Sequence, residues 1–261
     1  MSEGISNVTG MVTPTAVLKC IDDSIETNTL IVGFPNPGLA GTIAAKHIIQ
    51  QLKMKTMGYI RSPLIPPHAV FWDGILAYPY RIHGCGDAKL SVLIGEAPVP
   101  TIGYYYLAKA ALDWAEHTHK IKEVICLGGF PLETRAPKPK VYLVAEPDLK
   151  GQLEKFELPL LKQGYISDFV GAILNEAIIN EAIHGYALFV ESTPDRPDPV
   201  GAIRLIEELN RLKELNIDTK ALQQEATRLQ TVLDEFARRT HAISQKEEDI
   251  LRPSADRSLY V

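Results

Sequence analysis

Thr29-Leu30-Ile31-Val32-Gly33-Phe34-Pro35-Asn36-Pro37-Gly38-Leu39-Ala40-Gly41 is the stretch on which the fold turns. Residues 29–34 form a compact apolar run rich in β-branched side chains and stopped by a proline, the pattern of a strand buried on both faces. Two prolines and two glycines in the next seven residues make a turn. Thr42-Ile43-Ala44-Ala45-Lys46-His47-Ile48-Ile49 then continues at helical spacing. A strand, a glycine-rich turn and a helix open an α/β unit.

The pattern recurs downstream. Buried strands are predicted at 90–95, 123–128 and 186–191, and a helix at 104–117 with Leu107, Ala111 and Trp114 on one stripe. Strands alternating with helices predict an α/β fold: a mainly parallel sheet covered by helices on both faces, of the kind seen in phosphorylases and hydrolases. Residues 1–28 are polar, with one short apolar run at Ala16-Val17-Leu18, and 63–80 reads as irregular with short edge strands.

At Asp198-Pro199 the character changes to a helix start, followed by a stripe of Ile203, Ile206, Leu209 and Leu212. Asn216-Ile217-Asp218 breaks it. A second narrow seam then passes through Leu222, Ala226, Leu229, Leu233, Phe236, Thr240 and Ile243, at alternating spacings of four and three. This predicts a C-terminal helical hairpin whose seam packs either on its own domain or against another subunit. The expected organisation is an α/β core over 1–198, a helical appendage over 199–246 and a polar tail over 247–261. That tail ends on the apolar, aromatic Leu259-Tyr260-Val261.

Composition narrows the function classes. With 46% hydrophobic and 23% charged residues the chain has the balance of a globular protein. A net charge of −5 without a basic cluster argues against nucleic acid as a partner. No apolar run approaches the ~20 residues of a membrane span, and Met-Ser-Glu-Gly-Ile-Ser lacks the basic head of a secretory signal. A cytoplasmic protein is expected. Cys20, Cys85 and Cys126 are odd in number and widely spaced, which disfavours a disulfide framework or a Cys-x-x-Cys metal site.

Four candidate sites follow from residue chemistry. The turn with Gly33, Asn36, Gly38 and Gly41 either packs a helix tightly on the sheet or presents N–H groups to an anion, though it matches neither the dinucleotide nor the P-loop fingerprint. Seven scattered histidines form no metal motif. Glu96, Glu133, Glu191 and Asp195 follow strand ends, the edge where doubly wound sheets hold ligands. An enzyme of the phosphorylase or hydrolase class, acting on a nucleoside or a small phosphorylated ligand, would use the turn after Val32 and the loops bearing Glu96 and Glu191. No nucleophile accompanies them. The fourth candidate is Leu259-Tyr260-Val261, whose aliphatic group, phenol and free carboxylate make a compact recognition element.

The turn at 33–41, the strand ends Ile94-Gly95-Glu96 and Leu127-Gly128-Gly129, and the terminal Leu259-Tyr260-Val261 together resemble the archaeal branch of the proteasome assembly chaperone family. That resemblance implies a fold like nucleoside phosphorylases, a homo-oligomer, no catalytic site and no cofactor. It also implies docking on the α subunits of the proteasome core particle through Leu259, Tyr260 and Val261.

Overall fold

The structure, a computed structural model, describes residues 16–132, 138–194 and 196–228. In chain order its elements are β1 (Val17–Cys20), β2 (Thr29–Gly33), α1 (Ala40–Gln51), β3 (Lys55–Arg61), β4 (Val70–Trp72), β5 (Ile75–Ala77), β6 (Tyr80–Cys85) and β7 (Leu90–Gly95). There follow α2 (Thr101–His117), β8 (Glu123–Pro131), β9 (Val141–Ala145), α3 (Pro147–Leu153), α4 (Phe169–Asn180), β10 (His184–Ser192) and α5 (Pro199–Lys213). Eight strands join one sheet in the order β1-β3-β6-β7-β2-β8-β10-β9, and β4-β5 form a separate hairpin.

The four strands predicted from continuous apolar runs are the centre of that sheet. β7, β2, β8 and β10 pair in parallel, and antiparallel wings extend both sides: β6, β3 and β1 beyond β7, and β9 beyond β10. α2 and α4 pack together on one face, α1 and α5 on the other. Side-chain alternation along a strand divides the core accordingly. Leu30 and Val32 of β2 and Cys126 of β8 join Leu107, Ala111 and Ile173 in one buried cluster beneath α2 and α4. Phe34, at the end of β2, seals that cluster with its ring centroid 4.8 Å from Phe169 and 5.7 Å from Tyr104.

α5 belongs with this body. Asp198 caps it by accepting from the Gly201 N–H at 2.8 Å, and Ile203, Ile206, Leu209 and Leu212 are all buried. Beyond it, Asn210 makes both hydrogen bonds to the Ile217 backbone at 3.0 Å, and His47 of α1 donates from Nε2 to the Asp218 carbonyl at 2.6 Å. The compact α/β unit therefore runs through Thr219, and Lys220 begins a second unit, helical at 220–228. The division falls later than the 198/199 boundary expected from composition, because the α5 stripe is buried by the sheet's own layer. Among the described residues no helix is long and apolar enough to cross a membrane.

Candidate functional site

The turn after β2 rises at the carboxyl edge of the parallel strands, beside the ends of β8 and β10. Pro37–Leu39 form one 3-10 turn, and Gly38 sits at φ +71°, a conformation glycine adopts without penalty. A Cβ on Gly38 would collide with the Ser192 hydroxyl, and one on Gly41 with the Leu127 carbonyl oxygen. One on Gly33 would strike Ala45 of α1. The glycines thus let α1 and its turn press against β8 and the end of β10.

Polar groups fasten the same contact. Asn36 Oδ1 accepts from the Gly129 N–H at 3.2 Å, the Asp198 N–H donates to the Gly38 carbonyl at 2.7 Å, and the Ser192 hydroxyl donates to Asp198 Oδ2 at 2.9 Å. Among the described residues Asn36 Nδ2 is buried without a hydrogen-bond partner, as is the Thr42 hydroxyl just beyond the turn.

The strand-end carboxylates are engaged in structure. Glu191, at the end of β10, accepts from the Tyr142 hydroxyl at 3.0 Å and the Lys140 N–H at 3.1 Å, one bond to each oxygen. Glu96, after β7, accepts from Trp72 Nε1 at 2.8 Å and pairs with Arg81 Nη2 at 2.5 Å. Glu133 and Asp195 lie outside the described residues.

Around Glu96 the fold assembles a cluster that no sequence motif announces. Trp72, on the β4–β5 hairpin, has the Lys46 ammonium 4.5 Å from its ring centroid and the Arg81 guanidinium at 4.6 Å. His83 lies parallel to the same indole at 6.4 Å, and burial, with the Arg81 charge second, pulls its pKa down to about 4. At neutral pH the imidazole is uncharged, leaving Arg81 as the sole cation of the buried pair. This cluster clamps the hairpin to the body. Next to the hairpin lies a cleft of about 650 Å³ with a proline-rich wall.

A family model described as "PAC2 family" matches residues 30–237, spanning the α/β body and part of the second unit. The chain belongs to the PAC2 family. The solved structure of PbaA from Pyrococcus furiosus, described as an archaeal homolog of proteasome-assembly chaperone, is similar at a TM-score of 0.79 and 26% identity, over 90% of this chain and 97% of that one. PbaB from the same organism, described as an archaeal proteasome activator, shares the fold at a TM-score of 0.75 and 21% identity, over 85% of this chain and 99% of that one. MJ0106 of Methanocaldococcus jannaschii is 28% identical over 217 residues, 81% of this chain and 86% of the relative.

In this PAC2 chain Gly33, Asn36, Gly38 and Gly41 come together as one packed turn. Leu222 sits in the helical stretch 220–228. Leu229, Leu233, Phe236 and Ile243 of the seam, and Leu259, Tyr260 and Val261 of the terminal motif, lie outside the described residues. The short strands expected within 63–80 are present as β4 and β5, but their pairing into a separate hairpin and the clamp that holds it were not expected. Asp73-Gly74 between apolar residues is the signal that could have found it, since both central residues of a type I′ turn need positive φ. They have it, at 49° and 79°.

Proposed function

We propose that this chain is a non-enzymatic, ATP-independent proteasome-binding protein of the cytoplasm, an assembly chaperone or activator. It docks on the α subunits of the core particle through Leu259, Tyr260 and Val261. The observation that carries this reading is the likeness to PbaA, 26% identical across 90% of this chain. The engaged oxygens of Glu96 and Glu191 support the non-enzymatic part, because those carboxylates were the acids available to the competing phosphorylase or hydrolase reading.

Docking by three residues is weak, and self-association compensates for it. A homo-oligomer presents several tails at once, and tethering raises avidity over single-tail affinity by ~10²–10⁴-fold. The seam from Leu222 to Ile243 is one candidate for holding subunits together.

The test is capture by purified core particles, comparing the full chain with one lacking Leu259, Tyr260 and Val261. The full chain is expected to bind and the truncated chain to be lost, with Tyr260→Ala weakening each tail by about 2 kcal/mol. Equal capture of full and truncated chains would overturn tail docking. No capture of either would overturn the proteasome reading itself.

A further inference from the structure

The β4–β5 hairpin is too short to persist in water by itself. Its inward residue, Trp72, is held by Glu96, Arg81 and Lys46, so the hairpin is a fixed projection. The hairpin is unexpectedly apolar where it meets solvent: Phe71 and Leu76, paired on the face away from Trp72, are 69% and 76% exposed, and Ile75, paired with Trp72, is 72% exposed. Three large apolar side chains adjacent on one projection mark a contact surface rather than scattered exposure. At the tip stands Asp73, exposed and without an ion-pair partner among the described residues.

The neighbouring cleft has the opposite character. Pro63, Ile65, Pro66 and Pro67 line it as an apolar wall, and Arg61 at its rim is exposed and carries no ion-pair partner among the described residues. Proline walls have fixed φ and few N–H groups, so they offer a preformed apolar surface that loses little freedom on binding. Leu76 and Ala77 of the hairpin also line the cleft, so projection and cleft adjoin on one molecule. A surface carrying both an apolar knob with a carboxylate and an apolar slot with a guanidinium complements itself.

We propose that the β4–β5 hairpin of one copy seats in the 61–67 cleft of a second copy, with Asp73 of each meeting Arg61 of the other across a two-fold axis. A two-fold axis is the arrangement in which the hairpin and the cleft of both copies are engaged at once. The inference deepens the self-association reading above and rests on it.

The experiment is sedimentation equilibrium of the full chain with Asp73→Arg, Arg61→Asp and the double exchange, each checked by thermal melting. Both single variants are expected to melt like the parent and to dissociate at concentrations at least about tenfold higher, since each sets like charges opposite one another. The double exchange restores the pair with its signs reversed and is expected to recover the parent's association to within about threefold. Unchanged association in either single variant, or no recovery in the double, would overturn the hairpin contact while leaving self-association standing. A parent that sediments as a monomer at micromolar concentration would overturn both. Core-particle capture is scored separately, so loss of the interface and loss of tail docking are told apart.

Discussion

Two proline-bearing segments, 35–41 and 61–79, border the same sheet and present opposite surfaces. The first carries the glycine-rich sequence associated with ligand loops, yet in the fold its own neighbours fill it: Ser192, Asp198, Gly129 and the Leu127 carbonyl occupy the space around the turn. The second carries no ligand-loop motif, yet it holds the open cleft and the exposed apolar hairpin. Glycine permits close approach, and whether a ligand or the protein's own backbone makes that approach is decided by the strand ends opposite. Proline in 63–67 keeps the chain out of ladder pairing and leaves its surface uncovered.

The sharpest way to break that contrast is to add one methyl group to the closed side. Gly41→Ala forces a Cβ onto the Leu127 carbonyl, a backbone atom that can move only by displacing β8. A loss of more than about 3 kcal/mol in denaturant unfolding is expected. A small effect would mean that the turn yields, and that the packed description is too rigid.

Acid titration tests the clamp that holds the hairpin of the second segment to the body. With a folded pKa of about 4 against the usual 6.5, His83 binds its proton more readily in the unfolded chain. The resulting stability is fully present above about pH 6.5, declines as pH falls toward 4, and is constant below that. The loss is on the order of 2 kcal/mol after allowing for incomplete burial. His83→Asn should flatten this part of the pH profile of unfolding. A slope unchanged by the substitution would assign it to other groups.

The smallest expected effect belongs to the open side. Phe71→Ser removes a ring that is 69% exposed, so unfolding stability should stay within about 0.5 kcal/mol of the parent. A larger loss in the monomeric state, read by chemical denaturation at high dilution, would show that the hairpin's outer face contributes to the body and would erase the contrast.

The same contrast explains what was legible in the sequence. Strands at 29–33, 90–95, 123–131 and 184–192 announce themselves because both their faces are covered and nearly every residue is apolar. β6 hides because its buried side chains include Arg81 and His83, whose burial is made tolerable by Glu96 and Trp72 from elsewhere in the chain. β1 hides for a different reason: three of its four residues are exposed, and only pairing with β3 makes it a strand. At the turn, the sequence supplied the right residues and two readings of them. The packed one could be recognised only when β8 and β10 were set beside it, because the colliding atoms lie about 90 and 150 residues away along the chain. The hairpin's Asp73-Gly74 signal was available locally, but nothing local says that Trp72 finds a carboxylate and two cations.

The three cysteines are graded by depth: Cys20 is exposed, Cys85 intermediate, and Cys126 buried in the central strand β8. Alkylating reagents attack the thiolate, and complete burial pushes the Cys126 thiol well above its ordinary range. A labelling reagent therefore reaches Cys20 at once and Cys126 only when the middle of the sheet comes apart. The ratio of those two labelling rates makes the chain its own clock for core opening, with reagent access calibrated by the exposed thiol and no added probe.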